Sequence, residues 1–172
     1  MARPAFDKLN KAHFLDQGEI LANVPFVRWE DGTPVFNAVR RGIVTSHGCA
    51  CEDYERAAAE DERSRKAGAI MLQVAPISPA TQYRDNQEAI ARGEFLDFFF
   101  IAGEGTILKD QVVDLTREQA IPASVLAKCK KTARIADWQW KALLIHIAVS
   151  RFHQQPEELF LKELLESGSN AA

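Results

Sequence analysis

Short apolar segments separated by turn-forming residues are the feature that most restricts how this chain can fold. Ile43 to Thr45 is β-branched throughout, Ala69 to Ile77 is a second strand block, and Phe95 to Ile101 is apolar on both faces apart from Asp97. Few crossover helices separate these segments, which favours antiparallel pairing. A closed barrel also removes exposed sheet edges. We therefore predict a mainly β protein with added helices, an α+β fold built on a small antiparallel barrel.

One long helix stands out near the C-terminal end. Asp137 is a good N-cap residue, and apolar side chains then recur at helical spacing on one face. These side chains are Trp140, Leu143, Leu144, Ile147 and Ala148. Such a face must be buried, so we expect this long C-terminal helix to pack on the barrel.

The chain reads as one domain with additions at both ends. Residues 1–17 are predicted to be an N-terminal helical arm and residues 18–153 a single barrel domain. That domain includes a charged insertion at 52–67, read as a polar helix or a mobile loop, and the closing helix at 137–153. Residues 154–172 are predicted to be a short amphipathic helix followed by a disordered tail.

Composition limits the compartment and the partners. The 172 residues carry a formal net charge of −3, which lowers the expectation of nucleic-acid binding without excluding it. No apolar run approaches the roughly 20 residues that cross a bilayer, so we expect no membrane association. The three cysteines suit a reducing compartment better than a disulfide framework, and we predict a cytoplasmic protein.

Basic residues cluster in one stretch near the C-terminal helix. This stretch holds Lys128, Lys130, Lys131 and Arg134, and Arg40 is a further cation that could join it. These residues are candidates for binding the phosphates of a nucleic acid. The alternative is that they are solvated surface charges that pair with acidic residues of the same chain.

The segment from His47 to Cys51 has an unusual composition. His47, Cys49 and Cys51 place an imidazole and two thiols within five residues, a set that could bind zinc if a distant fourth ligand joined them. His47 could instead lower the pKa of Cys49 and make it a nucleophile. The third interpretation is a tight turn at Gly48 with the cysteines packed as small hydrophobic residues.

The order of strand segments resembles the barrels of the MazF/PemK toxin family. The resemblance rests on Gly18 to Leu21, on Arg41 to Ser46, on Met71 to Ile77, and on Asp110 to Asp114 followed by a late helix. The turn Ser46-His47-Gly48-Cys49 is also similar to one in uncharacterised bacterial and phage-borne proteins of this barrel type. The resemblance implies an SH3-like antiparallel barrel.

The same resemblance implies candidate catalytic residues. Members of that family cleave RNA without a metal, so Arg41 (or its neighbour Arg40) would hold the phosphate, and Ser78 or Thr81 would stand where the family has a hydroxyl residue. The proline that usually follows that arginine is replaced here by Gly42.

Two functions therefore remain from the sequence. The first is a non-catalytic interaction protein on a MazF/PemK-like barrel, encoded by a bacterium, a phage or another mobile element and acting on a host protein or nucleic acid. The alternative is a toxin-like, metal-independent endoribonuclease. The acidic net charge and the added helices favour the first. We expect a protein partner that the sequence does not identify, with RNA and a homodimer left open, and no cofactor unless zinc binds at the cysteines.

Overall fold

A computed structural model of the chain describes residues 6–7, 15–60, 68–104 and 109–152. It contains eight strands, four α-helices and two 3₁₀ turns in these ranges. The strands are β1 (Phe6–Asp7), β2 (Glu19–Glu30), β3 (Thr33–Val44), β4 (Met71–Pro79), β5 (Phe98–Ile101), β6 (Gln111–Asp114), β7 (Gln119–Pro122) and β8 (Lys130–Ile135). The helices are α1 (Gly48–Glu60), α2 (Gln87–Ala91), α3 (Ala123–Leu126) and α4 (Asp137–Phe152), and the 3₁₀ turns span Ala80–Tyr83 and Leu115–Arg117.

The strands form one antiparallel sheet that curls into a half-barrel, so the fold is mixed α+β. Its hydrogen-bonded order is β1-β8-β2-β3-β4-β6-β5. The long strand β4 uses one edge twice, since its first half pairs with β7 and its second half with β6. Curling also brings β7 towards β2. There Gln119 Oε1 accepts a hydrogen bond from Val27 N at 2.9 Å, and Gln119 Nε2 donates one to Val27 O at 2.5 Å.

The longest hairpin joins β2 and β3. Its turn lies at Asp31-Gly32, where both residues have positive φ (48° and 78°), as a two-residue hairpin with right-handed twist requires. The pairing is interrupted on β2, where the register shifts between Leu21 and Val24, and Asn23 has a φ of 63°.

Apolar clusters lie on both faces of the sheet, which explains why its strands read as continuous hydrophobic runs. On one face Ile20, Ile43 and Ile135 pack against the α4 residues Trp140 and Leu143. On the other face strand residues pack against α1 and α3 through Cys51, Tyr54, Ala123 and Leu126.

Several predicted elements differ from the structure. Phe6 and Asp7, expected in a helical arm, form β1 and pair with β8. The charged insertion is a helix as far as Glu60, because Cys51 and Tyr54 give α1 a buried face. Three predicted parts lie outside the described residues. They are residues 1–5 and 8–14 of the arm, residues 61–67 of the insertion, and the amphipathic helix and tail at 154–172.

Candidate functional site

Two surface cavities share the lining residue Arg40, and together they are here called the arginine groove. The first cavity has a volume of about 490 Å³. Its lining residues are Phe26, Val27, Arg28, Arg40, Pro76, Thr116, Arg117, Glu118 and Gln119. The second cavity has a volume of about 380 Å³. Its lining residues are Arg40, Arg41, Ile77, Ser78, Pro79, Gln82 and Gln111.

Arg40 lines both cavities and Arg41 lines the second, and both residues belong to β3, which lies between β2 and β4. Arg40 stands opposite Val24 of β2, and Arg41 stands opposite Ile77 of β4. The next residue, Gly42, is completely enclosed, since a Cβ there would lie 2.7 Å from Val74 Cγ1 and 2.9 Å from Phe26 Cζ. Glycine at this position lets Phe26 pack against the strand directly beside the arginines.

The groove carries more positive than negative charge. Arg40 and Arg41 are exposed, and neither forms an ion pair with a described residue. Arg117 pairs with Asp114 at 3.3 Å, and Glu118 pairs with Arg151. Because both nearby carboxylates already have cationic partners, the charge of Arg40 and Arg41 is left for a ligand.

A row of three aromatic rings begins beside Ser78, which lines the second cavity. Tyr83 is hydrogen-bonded to Ser78, and burial, followed by the charge of Asp114, raises the pKa of its hydroxyl. The ring of Tyr83 lies 5.4 Å from that of Phe98, and the ring of Phe98 lies 6.4 Å from that of Phe95. Phe95 is 38% exposed, so this row of rings reaches the surface.

The residues predicted as catalytic are partly brought together. Arg41 and Ser78 line the same cavity, as expected if one holds a phosphate and the other supplies a hydroxyl. Thr81 lies on the 3₁₀ turn that follows β4, is exposed, and lines neither cavity. The catalytic roles of all three residues stay predictions.

Half of the predicted basic stretch is paired with acids of the same chain. Lys131 Nζ lies 2.9 Å from Glu19 Oε1, and Arg134 lies 3.0 Å from Asp16. Burial raises the pKa of Glu19, and the hydrogen bond and charge of Lys131 partly offset this effect. Lys128 and Lys130 are exposed. Of the nucleic-acid-binding candidates, Arg40 alone lines the arginine groove.

The segment from His47 to Cys51 forms the start of α1. Cys51 is 2% exposed within an apolar cluster, where burial raises the pKa of its thiol to about 12, whereas Cys49 is exposed. His47 Nδ1 accepts a hydrogen bond from Cys49 N at 3.3 Å. Within the described ranges, no three His, Cys, Asp or Glu side chains converge as metal ligands. Cys51 therefore fits a core residue better than a zinc ligand, and zinc binding stays a prediction.

Sequence reasoning missed several groove residues. Arg28, Arg117 and Gln111 come from β2, a 3₁₀ turn and β6, and only the curl of the sheet brings these elements together. Tyr83, which lies beside the groove residue Ser78, was also missed, since it is the last residue of a 3₁₀ turn that only the folded chain reveals.

Comparisons with known proteins give no family for this chain. No protein-family model matches the sequence, and no curated protein is significantly similar to it. In the part of the chain that the structure describes, every helix is too short or too polar to span a bilayer.

Proposed function

We propose that this protein is a non-catalytic binding protein whose arginine groove holds single-stranded nucleic acid, on a barrel of the MazF/PemK type. The observation that carries the proposal is the pair Arg40 and Arg41. Both are exposed, both line the second cavity, Arg40 also lines the first, and neither has an ion-pair partner among the described residues. Guanidinium groups bind phosphate oxygens in a bidentate manner, and phosphate contacts supply most of the affinity for a strand.

The aromatic row favours a single strand over a duplex. Bases of a single strand are free to stack on aromatic rings, whereas the bases of a duplex already stack on each other. Phe95, the most exposed of the three rings, and Tyr83, beside the cavity residue Ser78, would offer such surfaces. An acidic protein segment would use the arginines but has no need of these rings.

The surroundings of the arginines favour binding over catalysis. Metal-independent RNA cleavage needs a general base for the 2′-hydroxyl group. Among the described residues that line the groove there is no histidine, and Glu118 already accepts hydrogen bonds from Arg151 and from the Thr45 hydroxyl. The endoribonuclease alternative is favoured by one observation, the shared cavity of Arg41 and Ser78.

Binding and cleavage of a labelled single-stranded RNA, in the presence of a chelator, test the proposal. We expect binding without cleavage, and an affinity loss of about tenfold or more in the double variant Arg40→Ala/Arg41→Ala. The matched control is Lys128→Ala/Lys130→Ala, which removes the same charge from exposed residues that line neither cavity. Equal loss in both variants would refute the groove as the binding site. Cleavage that disappears in Arg41→Ala would establish the alternative.

A further inference from the structure

The excess negative charge of the chain lies after α4. Residues 153–172, here called the acidic segment, contain four glutamates and one lysine, a net charge of −3 that equals the net charge of the whole chain. Residues 1–152 are therefore neutral overall. The charged residues of the segment are Glu157, Glu158, Lys162, Glu163 and Glu166. Of the whole chain, this segment is the part best suited to pair with cations that lack a partner.

The acidic segment leaves the described fold beside the arginine groove. Helix α4 ends at Phe152, and Arg151 in its last turn donates a hydrogen bond to Glu118, which lines the first cavity. The Ser150 hydroxyl also donates a hydrogen bond to Asp97, at 3.2 Å. Because two side-chain contacts hold this last turn, the start of the acidic segment is fixed close to the first cavity.

The first glutamates of the segment can reach into the groove. Glu157 and Glu158 follow the end of α4 by five and six residues. An extended chain spans up to about 3.5 Å per residue, so these two residues can lie up to about 20 Å from that end. The first cavity has a volume of about 490 Å³ and is lined by both Glu118 and Arg40. A reach of about 20 Å is enough to cross a cavity of this size.

Charge favours the acidic segment as an occupant of the groove. Arg40 and Arg41 are exposed and form no ion pair with a described residue, whereas Glu118 already pairs with Arg151. A segment joined to the protein meets the groove at an effective concentration that can reach the millimolar range. Even exposed ion pairs, which are weak, then hold the segment in the groove in a large fraction of the molecules.

We propose that the acidic segment binds in the arginine groove and that a nucleic acid must displace it. The carboxylates of Glu157 and Glu158 pair there with the guanidinium groups of Arg40 and Arg41. This inference rests on the proposed function, because it concerns the regulation of the same site. The segment and a strand compete for the arginines, so each weakens the binding of the other by the same factor.

The first test contains no nucleic acid. A glutamate-specific protease cuts after Glu157 and Glu158 when the acidic segment is free, and the cleavage rate is followed by mass spectrometry. We expect cleavage about threefold faster or more in Arg40→Ala/Arg41→Ala than in the unmodified protein. The matched control is Lys128→Ala/Lys130→Ala, which removes the same charge from exposed residues that line neither cavity and should be cut at the unmodified rate.

The second test measures the affinity for a labelled single-stranded RNA. Glu157→Gln/Glu158→Gln should bind about three- to tenfold more tightly than the unmodified protein, because the strand no longer displaces two ion pairs. The control is Glu52→Gln/Asp53→Asn, which removes the same charge from two exposed consecutive residues of α1 that line neither cavity. It should change the affinity less than about twofold.

Two results would overturn the inference. The first is cleavage after Glu157 and Glu158 that is no faster in Arg40→Ala/Arg41→Ala than in the lysine control, as expected if the segment packs elsewhere. The second is an affinity gain in Glu157→Gln/Glu158→Gln that is absent or only equals the gain of its control. Failure of the proposed function is separate, because it shows as strand binding that is indifferent to Arg40→Ala/Arg41→Ala, and the protease test needs no strand.

Discussion

At the scale of single residues, the least expected feature is the nearly buried ion pair between Glu19 and Lys131. The carboxylate is only 1% exposed, and Lys131 Nζ lies 2.9 Å from it. The Glu19 side chain also accepts a hydrogen bond from Asp16 N at 3.0 Å. Glu19 thus joins β8 to the chain segment that enters β2.

Removing the lysine should make stability strongly pH-dependent. Burial raises the pKa of Glu19 above its ordinary value of 4.5, so the folded protein binds the proton more tightly than the unfolded chain, and stability falls as pH rises through the interval between the two pKa values. Lys131→Met removes the contact that lowers this pKa, and the interval then extends to higher pH. We expect a variant near wild type in acid that loses about 3 to 5 kcal/mol at neutral pH, measured by urea unfolding over a pH series.

The control for this prediction is Lys130→Met. Lys130 is the preceding residue of β8, is exposed, and forms no ion pair with a described residue. Its substitution should change stability little at any pH. A loss in Lys131→Met that is the same in acid and at neutral pH would show that packing of the lysine side chain, and not the charge of Glu19, is responsible.

At the scale of elements, Glu118 holds the end of α4 against the sheet. Its Oε2 accepts a hydrogen bond from Arg151 in the last turn of α4, and its Oε1 accepts one from the hydroxyl of Thr45, just after β3. Glu118→Ala removes both hydrogen bonds. We expect a loss of about 1 to 3 kcal/mol in urea unfolding and faster amide exchange in the last turn of α4.

An exposed carboxylate provides the comparison. Glu94 pairs with Arg92 at 2.6 Å on the surface, where such pairs contribute little, so Glu94→Ala should leave unfolding and exchange close to wild type. Unchanged amide exchange in α4 of Glu118→Ala would contradict the proposed attachment.

Strand positions could be predicted where the pattern was local. Ala69 to Ile77 and Phe95 to Ile101 were expected as strands, and β4 and β5 lie there. Strand β7 was missed because Gln119–Pro122 is short and only half buried, and is held by pairing with β4. The bulge of β2 could not be predicted from β2 alone, because it depends on the pairing with β3, where Phe26 and Val74 enclose Gly42.

At the scale of the whole molecule, the site could be predicted only in part. Arg41 and Ser78 were expected together, and the pairing of β3 with β4 brings them to one cavity. Gln111 lies 70 residues further along the chain than Arg41, and no local pattern links the two. The ion pairs of Lys131 and Arg134 could not be predicted either, because their partners Glu19 and Asp16 lie near the opposite end of the sequence.

Because the net charge of the molecule is negative, the salt dependence of strand binding can be used to count the groups that contact phosphates. The chain carries −3 overall, so general attraction to a polyanion is weak and the salt dependence should come mainly from groups that contact phosphates. For single strands, the logarithm of affinity falls with the logarithm of salt concentration by about 0.7 per phosphate contact. If Arg40 and Arg41 each contact one phosphate, Arg40→Ala/Arg41→Ala should reduce this slope by about 1.4.

Lys128→Ala/Lys130→Ala should leave the slope unchanged while altering the net charge by the same amount. A slope that falls equally in both variants would mean that the strand senses only overall charge, and the arginine groove would then have no special part in binding.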